Sequence, residues 1–246
     1  MTTTSPTSSY GANADYWVRI IRQDLDRYRT GLTNVAMLTA AGDVTGLTVL
    51  DAGCGEGYLS RLLAARGAGP SVGVDLCPEL VDAARQQAAD EGLDIRHETA
   101  DVAALPFDDA SVDLVVANHV LNDLEDPAPA IAEFSRVLRP GGRVVALLLH
   151  PCFYGSRGQA VDRDTYFRPR RIEQHFDVAG EVSPAPVVAW TRPLEDFAAG
   201  FAAAGLALTG ISEPHPSEQQ RREDPWWEEN FTRPLFLLLT AQKLPR

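Results

Sequence analysis

Residues 49–57 read VLDAGCGEG, an apolar run that ends in an aspartate and then in glycines at 53, 55 and 57. Glycines at this spacing let a backbone turn sharply and remove the β-carbons that would hold a ligand away from it. Such a loop suits a nucleotide. The dinucleotide pattern G-x-G-x-x-G is absent, because the sixth position counted from Gly53 is Tyr58, and no Gly-Lys-Ser/Thr follows to hold phosphates. Asp51 and Glu56 put negative charge in the turn, which is unfavourable beside a pyrophosphate and favourable to an ammonium or sulfonium group. The chemistry that fits is recognition of a cationic nucleoside. Asp75, about twenty residues beyond the glycines, stands where a carboxylate accepts both hydrogen bonds of a ribose diol. Asp101, in HETADVAALPF, stands where a carboxylate could accept from an adenine amino group while the Val102 amide donates to the ring.

These groups need a scaffold that brings strand ends together. The candidate strands are TVLDA at 48–52, SVGVD at 71–75, DIRHE at 94–98, VDLVVAN at 112–118 and GRVVALLLH at 142–150, several of them continuous apolar runs suited to a sheet covered on both faces. Between them YLSRLLAARG, ELVDAARQQAADEG and PAPAIAEFSRVLRPGG have helical spacing and glycine stops. The pattern predicts an α/β, doubly wound, mostly parallel sheet, with ligands at the strands' carboxyl ends. Ahead of it, residues 15–41 predict two short helices with Gly31 as the break, and the Ser/Thr-rich first dozen residues are expected to be mobile unless a ligand orders them. After residue 150 the rhythm fails for some forty residues, a length that predicts a cap or lid. It resumes with the helix LEDFAAGFAAAGL and the strand PLFLLLTAQ. The expected organisation is a helical segment over 1–44, a cofactor core over 45–150, a lid over 151–190 and completion of the sheet over 191–246.

Composition narrows the partners. With 22 basic and 34 acidic residues, the formal charge of −12 argues against nucleic acid or an acidic membrane, since such binding draws on basic residues that release counterions. Cys54, Cys77 and Cys152 form no Cys-x-x-Cys and suggest neither a disulfide framework nor a zinc site, so no metal is expected and a reducing cytoplasm fits. The N-terminus lacks a signal-peptide pattern, and no apolar run is long enough to span a bilayer.

Four segments in series, VLDAGCGEG, GVDLCPELVDAAR, ADVAALPFDDASVDLVVANHVLND and VLRPGGRVV, resemble the class I S-adenosylmethionine-dependent methyltransferases over roughly residues 45–150. The resemblance implies a seven-stranded sheet whose last strand, PLFLLLTAQ, is antiparallel. It implies S-adenosyl-L-methionine as cofactor and S-adenosyl-L-homocysteine as product. It also implies that the turn from Gly53 through Cys54 and Gly55 to Gly57 holds the methionine part, Asp75 the ribose, Leu76 one face of adenine, and Asp101 and Val102 its edge. Asn118 and His119 would then lie near the sulfonium. Beyond the core, the chain resembles small-molecule methyltransferases of bacterial natural products, including antibiotic and lincosamide-type N- and O-methyltransferases.

Several residues outside the four motifs are candidates for the acceptor side. His119 and His150 follow the fourth and fifth strands, where an imidazole could take a proton from an acceptor hydroxyl or amine; either could equally pack or bridge backbone groups. In SYGANADYW, the resemblance implies that Tyr10 and Tyr16 close over the cofactor and line the acceptor pocket, with Trp17 the better candidate for a core anchor. The run REDPWWEENF is expected to be a loop in which Trp226 and Trp227 floor that pocket or form a contact between subunits of a homo-oligomer. RPRR at 168–171 is expected to pair with lid acids. Asp51 could simply hold the turn, and Cys54 and Cys152 read as inert packing residues. The expected reaction is methyl transfer to a nitrogen or oxygen of a small-molecule metabolite. A nicotinamide oxidoreductase is opposed by Tyr58 and the turn acids, and an inactive cofactor-binding regulator by the aromatic-rich lid.

Overall fold

The computed structural model of the chain describes residues 6–154 and 166–244. The N-terminal part forms α1 (Pro6–Ala12), α2 (Ala14–Arg22) and a π-helical turn (Arg29–Thr33) that runs into α3 (Asn34–Ala41). The core then alternates β1 (Val49–Ala52), α4 (Tyr58–Ala64), β2 (Ser71–Asp75), α5 (Pro78–Asp90), β3 (Ile95–Thr99), β4 (Val112–Asn118), α6 (Ala128–Val137) and β5 (Leu138–Leu149). The cap contributes β6 (Arg170–Gln174), β7 (Asp177–Val178), β8 (Glu181–Val182) and β9 (Val187–Thr191). Last come α7 (Leu194–Ala203), β10 (Leu206–Ser212), α8 (Glu218–Glu223), α9 (Trp226–Asn230) and β11 (Phe236–Lys243).

Seven strands form one sheet in the order β10-β11-β5-β4-β1-β2-β3. β11 runs antiparallel to both β5 and β10, while β1 to β5 are mutually parallel. This is the expected Rossmann-like methyltransferase architecture. Continuous apolar runs build it because alternate side chains of each inner strand enter opposite cores. Leu50, Val115, Ala117, Val144 and Ala146 pack with Phe134, Phe197 and Phe201 on one face. Val49, Leu114, Val116, Val145 and Leu147 pack with Met37, Leu38, Leu59 and Leu63 on the other. The strand order reverses between β1 and β4, and the parallel register sets Ala52 beside Val74 and Ala117, so Asp75 and Asn118 follow at adjacent carboxyl ends.

Within the described part of the first dozen residues, α1 is held by Ser9 Oγ donating to Pro186 O, and the residue after it by Asn13 Nδ2 donating to Ala185 O at 2.9 Å. Two local expectations are corrected. The helix break falls at Gln23–Asp26, where Asp24 takes φ +53°, and not at Gly31. Gly31 lies inside the π turn because a β-carbon there would stand 2.8 Å from Trp227 Cζ2. The segment 222–231 is not a loop, since α8 and α9 occupy most of it. Of the lid, residues 155–165 lie outside the described residues; the rest folds as the β6–β9 hairpin carrying the smaller β7–β8 hairpin at its tip. Arg171 pairs with Glu173 there, at 2.6 Å. Among the described residues no helix is long and apolar enough to cross a membrane.

Gly31→Ala forces its new β-carbon into the Trp227 indole and should cost about 1–3 kcal/mol, read as a lower urea midpoint with an unchanged slope. His97 is 3% exposed, with no hydrogen-bond partner on either ring nitrogen, and burial pushes its pKa down to about 4 from 6.5. Between those pH values the unfolded chain takes up a proton that the folded chain refuses, so His97 costs stability as pH falls through that window. His97→Leu should therefore gain stability relative to the parent from pH 6.5 to 4; a difference that stays flat with pH would contradict this.

Candidate active site

The glycine turn is stitched to the end of β2. The amides of Gly53 and Cys54 both donate to Val74 O, at 2.7 and 2.8 Å, and the Gly55 amide donates to Asp75 Oδ2 at 2.9 Å. The other carboxylate oxygen, Asp75 Oδ1, accepts from the Cys77 amide at 2.9 Å. Gly53 has φ +72°, and a β-carbon on it would stand 2.1 Å from Val120 Cγ2, so the loop after β4 closes directly over its backbone. Gly55 has φ +54° with nothing within 4 Å of where its β-carbon would be, leaving bare backbone open to a ligand. Asp51, at the end of β1, is buried and accepts from Ser60 Oγ at 2.6 Å; burial raises its pKa to about 6.

Above this turn lies a cavity of about 600 Å³, within the range that holds small-molecule ligands. Asp51, Gly53, Cys54 and Gly55 line it from the turn, Asp75, Leu76, Asp101 and Val102 from the ends of β2 and β3, and Asn118 and His119 from β4. Tyr10 lines it from α1. Gly57 does not, because its backbone sits against the His97 ring, 2.7 Å from Nε2 to a would-be β-carbon.

Four expected acceptor-side residues are placed elsewhere. The Tyr16 hydroxyl donates to Glu181 O at 3.2 Å, which anchors α2 on the cap, and it is Trp17 that reaches the cavity wall. His150 is buried with Nε2 2.8 Å from Glu213 Oε1, and its Nδ1 accepts from the Cys152 amide at 3.2 Å. Trp226 and Trp227 stand behind the wall, packed on Tyr28 with ring centres 5.0 and 6.1 Å away, and Tyr28 is the residue that lines the cavity. The charge of Glu56 is compensated as well: it is fully buried, 2.9 Å from Arg61 and 3.3 Å from Arg22. Asp51 and Asp75 are joined in the lining by an aspartate that stands within NHVLND.

That residue is Asp123. It lines the cavity, accepts from the Tyr10 hydroxyl at 2.5 Å and from Asn122 Nδ2 at 2.9 Å, and burial raises its pKa to about 7. An acid five residues beyond the β4 end, within NHVLND, was the available signal. Burial also raises the pKa of Asp75 and pushes His119 down to about 4. His119 adopts φ +62°, a left-handed conformation rare outside glycine, and its Nδ1 is buried without a partner, as is Asn118 Oδ1. Asp26, Arg29, Tyr58 and His175 are further wall residues that sequence reasoning did not place.

These features fit a nucleoside cofactor with a cationic centre. Leu76 is 45% exposed in the wall, apolar surface that a flat base would cover. Asp75 retains lone pairs for hydroxyls beyond its two amide bonds, and the orphaned atoms of Asn118 and His119 await hydrogen bonds. Among the described residues no three potential metal ligands converge.

Residues 50–146 match the model of a methyltransferase domain family. A demethylmenaquinone methyltransferase of Thermus thermophilus is 38% identical over 165 residues, 65% of this chain and 74% of that protein. A ubiquinone biosynthesis O-methyltransferase of Xanthomonas oryzae is 30% identical over 161 residues, 64% of this chain and 66% of that one. Across the curated relatives first matched, the chain covers between 32% and 74% of their length. The crystal structure of an S-adenosylmethionine-dependent methyltransferase from Mesorhizobium loti superposes with a TM-score of 0.67 at 27% identity, covering 85% of this chain and 95% of that one. The glycine turn, the ordered strand-end acids and these matches together establish that the chain belongs to the class I S-adenosylmethionine-dependent methyltransferases.

Proposed function

We propose that the protein transfers the methyl group of S-adenosylmethionine to a nitrogen or oxygen of a small-molecule metabolite, in secondary metabolism, held between the strand ends and the cap. The observation that carries this reading is a continuous cavity lined by Asp75 and Asp101 of the core and by Phe176 and Val187 of the cap. Its lining offers acids and bare backbone, and it offers Trp17, Tyr28, Phe153, Phe176 and Phe236, aromatic surface for an apolar ring. The named activities of the Thermus and Xanthomonas relatives, which both concern quinones, support a flat apolar acceptor. The excess of 34 acidic over 22 basic residues disfavours a nucleic-acid acceptor.

In this reading Asp75 takes the ribose hydroxyls, Leu76 covers one face of adenine, and Asp101 with the Val102 amide takes its edge. Gly53, Cys54 and Gly55 hold the methionine part. Asn118 and His119 flank the reacting centre. When bound, the cofactor supplies a methyl group already activated by positive sulfur, so the chain needs to orient the acceptor, exclude water and accept one proton. Orientation within a closed wall is the largest of these effects. Asp51 and Asp75 favour the cationic cofactor over its neutral product. His119, neutral at physiological pH with its pKa near 4, offers hydrogen bonding there but holds an abstracted proton poorly. His150 is engaged with Glu213 and is not among the residues that line the cavity.

Replacing Asp75 by alanine removes both the ribose acceptor and the anchor of the Gly55 amide. S-adenosylhomocysteine affinity should fall by at least about tenfold, equivalent to about 1.4 kcal/mol, with the far-UV circular dichroism unchanged. An unaltered dissociation constant in calorimetric titration would refute the assigned role.

A further inference from the structure

We propose that His175, on the cap, is the base that removes the proton from a hydroxyl on the acceptor's apolar ring. This rests on the acceptor lying on the cap side of the cavity, as argued above. Among the described residues, the histidines that line the cavity are His119 and His175. They differ in what holds them. The ring of His119 is enclosed and its Nδ1 has no partner. That of His175 places Nδ1 2.7 Å from Ser183 O. A carbonyl oxygen only accepts, so Nδ1 carries the hydrogen, and the neutral ring keeps its lone pair on Nε2.

The orienting carbonyl is itself fixed. Ser183 is 2% exposed; its amide donates to Phe176 O at 2.7 Å, its hydroxyl accepts from the Phe176 amide at 3.0 Å, and the same hydroxyl donates to Ala185 O at 3.1 Å. Ala185 N in turn donates to Asn13 Oδ1 at 2.8 Å, which ties the hairpin to the start of α2. A base whose second nitrogen is held by a rigid acceptor is the arrangement that general-base catalysis requires. His175 is also exposed, so a proton taken from the acceptor has a path to water.

The step balances. The acceptor O–H bond breaks and its proton passes to His175 Nε2. The oxygen lone pair forms the new bond to the methyl carbon, and the carbon–sulfur bond breaks with its electron pair left on sulfur. The imidazolium of His175 then releases its proton to water.

The test uses catechol as a hydroxylated ring, on protein labelled with ¹⁵N-histidine and saturated with S-adenosylhomocysteine. Long-range proton–nitrogen spectra should show His175 with its hydrogen on Nδ1, and its Nε2 resonance should move as catechol is added. His175→Gln should bind S-adenosylhomocysteine with the parent affinity and methylate catechol about 100-fold or more slowly at saturating S-adenosylmethionine. Overturning results are a hydrogen on Nε2, no catechol binding, catechol binding with a static Nε2 signal, or parent turnover in the variant. If S-adenosylhomocysteine itself fails to bind the parent protein, the fault lies in the cofactor assignment, and this inference falls with it.

Discussion

The site depends on one hydrogen-bonded junction, the Asp75 carboxylate receiving the Gly55 amide on one oxygen and the Cys77 amide on the other. A hydrogen bond to a charged acceptor contributes about 1.5–3 kcal/mol, and here it adds to the two amide bonds from Gly53 and Cys54 to Val74 O that hold the same loops together. The same carboxylate, half-buried at a strand end, keeps lone pairs that face the cavity. In the proposed reading, one group thus sets both loop position and ligand recognition. Burial raises its pKa, and the backbone hydrogen bonds oppose that rise without cancelling it.

Around that junction the site gathers more negative charge than a folded chain tolerates cheaply. Asp51, Asp75 and Asp123 line one cavity, and the electrostatic influence of Asp75 is among the causes that raise the pKa of both Asp51 and Asp123. Glu56 would add to it but is neutralised by Arg61 and Arg22. A cationic ligand would relieve this repulsion further than the chain's own groups do. Tyr10 gives partial relief by donating to Asp123, and that bond draws α1 across the mouth.

The parallel core was legible because its strands are buried on both faces and read as unbroken apolar runs; SVGVD and VDLVVAN coincide with β2 and β4. Strand-end acids were legible for the same reason, since the strand fixes where its last residue points. What failed to read has identifiable causes. β10 is an edge strand, half-exposed and interrupted by Gly210 at a bulge, so it lacks that signature. Tyr16 and Trp17 are neighbours about 100° apart on a helix, and periodicity does not decide which of two adjacent aromatics turns inward to the ligand. His150 ends β5, but its amide continues the pairing to Leu235 O and its ring turns to Glu213, a partner 63 residues away. Asp123 and His175 lie in irregular chain, where no period assigns a face.

The cap shows why acceptor and cofactor sites cannot be treated as separate parts. Its hydrogen bonds to the rest of the protein run to α1 and α2, through Ser9, Asn13, Tyr16 and the Arg19–Glu181 pair, and to the loop after β4, where the Trp190 amide meets Asn122 O and Arg192 donates to Leu124 O. That loop carries His119, Asn122 and Asp123, and α1 carries Tyr10. The wall proposed to face the acceptor is therefore bonded to the two segments that the proposed reading sets against the cofactor. A ligand that braces α1 through the acids beneath it braces the hairpin bearing His175 as well, and because such coupling is reciprocal, an acceptor held by the hairpin braces the cofactor side in turn.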